Sequence, residues 1–304
     1  MSDRHFPVRP NLEQLKHQAK DLLREMGRAA PGTKLAEAQH ALARSYGLPS
    51  WPRLVLACRM TDAIWRDDVN EVRALAMKYP ALLVEDARGV KGNWGPPMSY
   101  AANLGRDRII VMLRNLGAND VQFAFERACL QGKIATARTL HAMGGQPVAG
   151  SVMGPSETLN PDGLALLLEL GAELVDSLGD PRMPVACMLQ TYVRHPSGKH
   201  ACLEIVAQRG VALPDTPPMA VHRGRIDLVE AHWRRDPAIV TQTFAHEEIF
   251  PPALGCSSNR SFALTGMPLH GGTLLHMHGF RGDGDRTMVA GARRRRERQG
   301  CDRR

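Results

Sequence analysis

Residues 94–120, WGPPMSYAANLGRDRIIVMLRNLGAND, constrain the fold more than any other stretch of the chain. A turn at Gly95 to Pro97 precedes a short apolar run that stops at Gly105, and a second apolar run stops at Gly117. In the second run the apolar residues are three or four positions apart, which places them on one face of a helix. Glycine just past the last turn tolerates the left-handed conformation with which many helices end. The stretch therefore predicts two short helices, neither long enough to be stable alone.

The same stretch resembles an ankyrin repeat, in which Thr-Pro-Leu-His opens the first helix and Gly-Ala-Asp closes the second. The positions that match this pattern are Pro97, Ala101, Ala102, Gly105, Leu113, Gly117 and Ala118, and those that depart from it are Pro96, Met98, Ser99 and Tyr100. The resemblance implies an all-α, ankyrin-type helix-turn-helix solenoid. It also implies a scaffold that recognises a protein partner and has no catalytic site and no cofactor.

Further copies of the helix pair are predicted within residues 59–277, as six repeats plus a partial seventh. Gly132 and Gly144 each lie 27 residues beyond the two glycines of the first copy, and Gly171 lies another 27 residues on. Ankyrin repeats usually have about 33 residues, so the spacing predicts shortened connecting hairpins. The predicted copies are Asp62–Pro80, 94–120, Phe123–Gly145, one ending at Gly171, Met183–Gly210 with an inserted loop at 195–198, Thr216–Pro237, and a partial copy that opens at Gly272. Residues 241–270 are predicted to form a long loop.

Residues 1–58 predict a short N-terminal helical leader. Asn11 is a plausible cap for a helix with an amphipathic face, and a second helix is predicted from Leu35 to Tyr46. Ser50 before Trp51-Pro52 predicts the start of a third short helix over residues 53–58. The sequences NLEQLKHQAKDLL and AEAQHALARSYGLPSWPRL resemble the leader that precedes the repeats of some bacterial ankyrin proteins. This resemblance implies no chemistry.

The distribution of charge and cysteine argues against several functional classes. The net charge of +8 is concentrated in the last twelve residues, where seven arginines and two acids give +5. Nucleic-acid binding is therefore not expected, since it needs a basic stripe along one face of the fold. No apolar run reaches membrane-spanning length and no secretory signal is present, so a protein of the cytoplasm is expected. The six cysteines include no Cys-x-x-Cys pair, which fits reduced, buried thiols.

The sequence offers no convincing metal or catalytic site. His270, His276 and His278 lie near Asp283 and Asp285, but a metal site needs convergent geometry that this spacing does not indicate. The ankyrin resemblance instead implies that His276 hydrogen-bonds backbone groups between repeats. The stretch 150–154 has a serine between two glycines, but the serine is misplaced for a nucleophile elbow and no strand is predicted before it. We therefore expect no metal and no catalytic residue.

A stacked repeat array presents its first helices and loops on one concave face, where partners bind. The repeat pattern places five side chains on that face as candidates for partner binding: Trp94, Asn103, Gln131, His222 and Arg223. Tryptophan and arginine are frequent anchors at protein interfaces. The alternative for Trp94 is that it covers the neighbouring hairpin. A different class of function is also open: a small-molecule-binding or hydrolytic enzyme that uses the irregular segment 241–270.

Residues 278–304 form an arginine-rich tail that is expected to be disordered. The seventh repeat opens correctly and then does not close within this tail, which raises the hypothesis that the tail is translated out of frame. Read one nucleotide later, a Met288 codon followed by a valine codon gives tryptophan, and CGN codons for Arg293–Arg296 permit Gly-Ala-Asp-Val. The shifted product WLLERGADVN is therefore allowed, and it resembles the end of an ankyrin repeat. An authentic arginine-rich tail that binds nucleic acid is the alternative.

Sequencing the gene around codon 277 tests the reading-frame hypothesis. The expected result is a frame shifted by one nucleotide that closes the seventh repeat from Met288 onward, because the opening of that repeat at Gly272 is intact. A shifted frame that meets an early stop codon, or that lacks the repeat pattern, contradicts the hypothesis. Such a result would make the arginine-rich tail authentic.

Overall fold

Short helices connected by tight turns account for the regular structure of the chain. The structure is a computed structural model and describes residues 4–193, 195–258 and 272–279. Within these ranges the only pairing of extended backbone is one isolated antiparallel bridge between Phe244 and Gly272. The expectation of an all-α fold class is confirmed, with 62% helix and no strand among the described residues. None of the helices described has both the length and the apolar character needed to cross a membrane.

The α-helices follow one another at short intervals along the chain. They are α1 (Leu12–Ala29), α2 (Leu35–Ser45), α3 (Trp51–Trp65), α4 (Val69–Lys78), α5 (Pro97–Leu104), α6 (Asp107–Asn115), α7 (Val121–Leu130), α8 (Ile134–Ala142), α9 (Met153–Thr158), α10 (Pro161–Glu169), α11 (Met183–Gln190), α12 (Pro196–Gln208), α13 (Pro217–His222), α14 (Ile226–Arg235), α15 (His246–Ile249) and α16 (Leu274–Gly279). Short 3-10 helices cover Pro80–Leu83, Pro237–Val240 and Pro252–Leu254. The chain divides into two compact units, Met1–Gln146 and Pro147–Arg304, and each is described separately.

The first unit begins with the predicted leader helices. The Asn11 side chain caps α1 by accepting a hydrogen bond from the Gln14 amide, and Ser50 caps α3 in the same way. Both capping predictions are confirmed. The leader buries an apolar cluster that consists of Phe6, Leu15, Ala43, Leu48, Leu54, Ala57 and Cys58. Packing of this cluster joins α1, α2 and α3, since short helices need the burial of an apolar face to be stable in water.

Helix α3 is longer than the sequence predicted. It runs from Trp51 to Trp65 instead of stopping at Cys58. No glycine or proline interrupts residues 59–65, and Met60, Ala63 and Ile64 are completely buried. The helix therefore continues through the point where the repeats were expected to begin, and its second half packs against α4 as the first helix of a pair.

Two further helix pairs of the first unit, α5–α6 and α7–α8, have the same connections. Gly105 and Gly132 end the first helix of each pair with φ angles of 68° and 62°. Gly117 and Gly144 follow the second helix of each pair, with φ angles of 103° and 109°. These angles lie in the left-handed region, where glycine has no Cβ to clash with the preceding carbonyl. The prediction of left-handed helix ends at these positions is confirmed.

Polar contacts connect the pair α5–α6 with the pair α7–α8. The Ser99 amide donates a hydrogen bond of 3.0 Å to a carboxylate oxygen of Asp120. Arg127 Nε donates to Asn103 Oδ1 over 2.8 Å. The apolar side chains beside them are buried, including Tyr100 and Phe125. Because each partner lies in the next pair, the contacts fix one pair against its neighbour within this unit.

The second unit contains the pairs α9–α10, α11–α12 and α13–α14. Thr216 accepts a hydrogen bond from the Met219 amide and so caps α13, as predicted. Leu159 occupies the left-handed end of α9 with φ of 53°, a conformation that costs a residue with a Cβ about 1–2 kcal/mol. The loop predicted at residues 195–198 is wrong in part, because α12 begins at Pro196. Proline suits the first turn of a helix, where its missing N–H is not needed.

The predicted loop over residues 241–270 is partly helical. Its described part, residues 241–258, contains α15 and the 3-10 helix Pro252–Leu254. A glutamate sets the start of α15, since Glu248 accepts a hydrogen bond from the Ala245 amide. The segment packs into the second unit through three buried apolar side chains, those of Phe244, Ile249 and Phe250. Such short turns have no periodicity that sequence reasoning can detect. Residues 259–270 lie outside the described part of the chain.

Gly117→Ala should lower the stability of the chain, and Gly27→Ala should not. At Gly117 a Cβ would meet no atom within 4 Å, so the expected loss of about 1 kcal/mol arises from the left-handed backbone alone. Gly27 lies inside α1, where a Cβ also meets nothing, and alanine there should stabilise by about 0.5–1 kcal/mol. Urea unfolding followed by circular dichroism measures both changes. Equal effects of the two variants would contradict the assigned helix end.

Candidate partner-binding surface

Trp94 lies in the loop that leads into α5 and is partly exposed. Its ring packs against the ring of Tyr100, with centroids 4.9 Å apart. Tyr100 is completely buried, and its hydroxyl accepts a hydrogen bond of 2.7 Å from Trp65 Nε1. The indole of Trp94 is therefore supported on one side by a fixed aromatic ring and is accessible to solvent in part. Both the interface role and the covering role expected for this residue are compatible with that position.

Asn103 is in the interior of the first unit, with an exposed fraction of 3%. Its amide nitrogen donates to the Ser99 carbonyl over 2.8 Å, and its side-chain oxygen accepts from Arg127. An amide with both ends bonded inside the scaffold stabilises the contact between α5 and α7. Asn103 therefore does not present its side chain to a partner in this structure.

Gln131 caps the end of α7, in the turn that leads to α8. Its backbone amide donates to the Arg127 carbonyl over 3.1 Å, and its side chain is partly exposed. The turn conformation follows from the glycine at 132, which reverses the chain immediately after the cap. The Gln131 side chain is thus partly exposed in the turn between α7 and α8, where the helix-pair pattern places it.

His222 and Arg223 end α13 in the second unit and have different surroundings. His222 is buried, with a ring nitrogen 2.9 Å from the Ile249 carbonyl and the ring 5.6 Å from that of Phe250. Arg223 is partly exposed and forms a two-pronged ion pair with Glu204, at 2.6 and 3.1 Å. The hydrogen bond from Arg223 is the main reason that the pKa of Glu204 lies below its ordinary value. His222 is a scaffold residue here, and Arg223 is held in place at the surface.

A group of residues around the N-terminal segment was missed by sequence reasoning. Arg88 is buried and donates hydrogen bonds to the backbone carbonyls of Phe6 and Pro7. The Tyr100 hydroxyl donates to the Val8 carbonyl over 2.8 Å. The partners are about 80 to 90 residues apart and involve backbone oxygens, so no side-chain pattern indicates them. The one available signal was the apolar pair at 6 and 8, which precedes the first predicted helix.

No protein-family model matches this chain, and no curated protein sequence matches it. The ankyrin resemblance therefore depends on the residues and the helix pairs of the chain itself.

The described residues contain no metal centre. No group of three or more histidine, cysteine, aspartate or glutamate side chains is placed to hold a metal ion among residues 4–193, 195–258 and 272–279. The cluster of His270, His276, His278, Asp283 and Asp285 considered from the sequence lies outside the side chains that the structure describes. In the segment proposed for an enzyme, His246 is buried, with a ring nitrogen 3.3 Å from the Ser257 carbonyl and the ring 5.0 Å from that of Phe250. This environment is that of a packed core histidine.

The cysteines of the described residues lie in apolar surroundings. Burial is the largest cause that raises the pKa of Cys58, Cys129, Cys187, Cys202 and Cys256, each to about 12. A reactive cysteine needs the opposite environment, in which nearby positive charge lowers the pKa and exposes a thiolate. None of these five thiols is therefore suited to nucleophilic catalysis.

These five thiols should react very slowly with iodoacetamide in the folded chain. At pH 8 a pKa of about 12 leaves roughly a thousandfold less thiolate than an ordinary thiol would have. Mass spectrometry of alkylated peptides measures each site, with a Cys301→Ser background and a urea-unfolded sample as the control for full reactivity. One thiol that reacts at the unfolded rate in the folded chain would contradict the assignment and would mark a candidate nucleophile.

Proposed function

We propose that this chain is a non-catalytic, ankyrin-type scaffold of the cytoplasm that binds a partner protein and needs no cofactor. In this proposal the helix pairs form a solenoid behind the leader, and the partner contacts the first helices and the turns. The proposal takes the family from the resemblance of residues 94–120 to an ankyrin repeat. It takes the mode of action from the way repeat arrays use one continuous surface.

The observation that carries the proposal is the repetition of α5–α6 in α7–α8. Helix lengths are 8 and 9 residues in the first pair and 10 and 9 in the second. Left-handed glycines end both helices of each pair, with 27 residues from one pair to the next. A hydrogen bond from Arg127 Nε to Asn103 Oδ1 joins the two pairs. A helix pair that recurs with the same turn geometry and packs against its neighbour is typical of stacked repeat proteins.

Partly exposed, well-supported side chains are the best candidates for partner contact. Trp94 rests on Tyr100, and Arg223 is held by Glu204. Rigid aromatic and arginine side chains lose little conformational freedom on binding, which is one reason they anchor interfaces. Gln131 adds a polar group at a turn. The buried positions of Asn103 and His222 give them a supporting role in this proposal.

Alanine variants of Trp94 and Arg223 test the proposal. A partner is first captured from the host with the intact chain and purified, and its affinity for each variant is then measured by calorimetry. Each substitution should weaken binding at least about fivefold, because anchors of this kind contribute more than 1 kcal/mol. Circular dichroism should show that both variants stay folded.

Matched controls are exposed residues of similar type. Arg234→Ala removes an arginine whose side chain is 68% exposed, and Tyr192→Ala removes an aromatic ring that is 55% exposed. Neither control should change the affinity. Unchanged affinity in both test variants would place the binding surface elsewhere, and hydrolytic activity of the intact chain against a substrate panel would favour the enzyme alternative.

A further inference from the structure

The first described residues of the chain pack against side chains of the first unit. This N-terminal strap, residues 4–10, contains neither helix nor strand. Four side chains from three elements contact it. They are Asp62 and Trp65 of α3, Arg88 of the loop before α5, and Tyr100 of α5. They are called the strap groove below. The strap is thus held by side chains that converge on it from three places in the chain.

The strap groove recognises the backbone of the strap. Arg88 donates to the carbonyls of Phe6 and Pro7, the second over 3.1 Å, and Tyr100 donates to the carbonyl of Val8 over 2.8 Å. Three consecutive carbonyls are therefore bonded by groove side chains. Backbone contacts of this type give affinity for a peptide segment, while pockets for its side chains give specificity.

Two side chains of the strap occupy places with specific chemistry. Phe6 is 2% exposed and packs in the apolar cluster of the leader, with its ring 5.3 Å from that of Tyr46. Arg9 donates to Asp62 over 2.8 Å, and its guanidinium carbon lies 5.3 Å from the centre of the Trp65 ring. An acidic group next to the face of an indole is a good site for a guanidinium. Between them, Pro7 is exposed and contributes no side-chain pocket.

Arg88 has an environment that suits a bound peptide. Its side chain is buried, and burial is the largest cause that lowers its pKa. A buried guanidinium needs hydrogen-bond acceptors, because leaving such a group unpaired costs several kcal/mol. In the structure, Arg88 Nε donates to the Pro7 carbonyl and Nη2 donates to the Phe6 carbonyl, both of which belong to the strap. The groove is therefore complementary to a main chain that supplies carbonyl oxygens at this point.

We propose that the strap groove is a peptide-recognition site, whose external ligand is a partner segment with an apolar residue three positions before an arginine. The N-terminal strap, with Phe6, Pro7, Val8 and Arg9, is its internal ligand. This inference rests on the proposed role in protein binding and adds the class of segment that is bound. A partner segment gains the carbonyl contacts with Arg88 and Tyr100 and the arginine site of Asp62 and Trp65.

The strap competes with any external segment because it is part of the same chain. A tethered ligand acts at an effective concentration of the order of millimolar. A free peptide of the same sequence therefore binds the wild-type chain weakly. Weakening the strap by substitution, without changing the groove, should release the site for an added peptide.

The test uses the full chain and a fluorescein-labelled peptide with the sequence of residues 4–10, RHFPVRP. Fluorescence anisotropy measures its affinity for the wild-type chain and for a chain that carries Phe6→Ser and Arg9→Glu. The double variant should bind the peptide at least about tenfold more tightly than the wild type. This factor corresponds to loss of the ion pair and of the cation–π contact from the competing strap.

A charge reversal provides the matched control. A peptide with glutamate in place of its second arginine, RHFPVEP, should bind the double variant about tenfold more weakly than the original peptide. With Arg9→Ala in place of Arg9→Glu in the strap, so that the strap offers no new ion pair, adding Asp62→Lys to the chain should reverse this preference. If Phe6→Ser unfolds the leader, the chain with Arg9→Glu alone is used, because half of that side chain is exposed and it lies outside the apolar cluster. That variant should bind the peptide about three- to tenfold more tightly than the wild type.

Equal affinity of the wild-type and strap-substituted chains, or equal affinity for the two peptides, overturns the proposal. The strap would then be a structural part of the leader. Because the probe is a defined peptide, this result is independent of whether the intact chain captures a partner. Failure of the groove and failure of the scaffold function are therefore distinguishable.

Discussion

Burial of apolar faces between successive short helices is the constraint on which the described structure depends. Helices of 8 to 10 residues, such as α5 to α8, are too short to be stable in water alone. Each becomes stable only when its apolar stripe is covered by a neighbour, and the neighbour is the next helix of its pair or of the next pair. The left-handed glycine turns make this possible, because they reverse the chain within two or three residues. The position of every candidate side chain follows from these reversals.

Sequence reasoning succeeded where local chemistry decides the structure. The glycine spacing around Gly105 and Gly117 predicted the helix pairs, and the caps at Asn11 and Thr216 were predicted from side chains that act within three residues. It failed where tertiary packing decides. Helix α3 passes the predicted end because buried side chains beyond Cys58 support it, and α15 forms in a segment without periodicity. Burial of Asn103 and His222 likewise depends on neighbours distant in sequence.

The candidate binding surfaces show the same division. A repeat pattern assigns a residue to the first helix or to a turn. Of the five residues selected in this way, Trp94, Gln131 and Arg223 are partly exposed. The pattern does not reveal contacts between a side chain and a distant backbone carbonyl. Arg88 and Tyr100 donate hydrogen bonds to backbone carbonyls of the strap. Every residue has such a carbonyl, so the identity of the accepting residue gives no signal in the sequence. The strap groove could therefore be found only in three dimensions.

The contact between Val8 and Tyr100 also orders events during synthesis. The strap leaves the ribosome before Tyr100, whose hydroxyl group is its donor and lies 92 residues later in the chain. At about 5–20 residues per second, the strap waits roughly 5 to 20 s before that partner is made. During this interval its apolar residues are accessible to chaperones and proteases. The backbone hydrogen bonds of the strap with Arg88 and Tyr100 thus form later than the packing of Phe6 in the leader, whose partners are all made by residue 58.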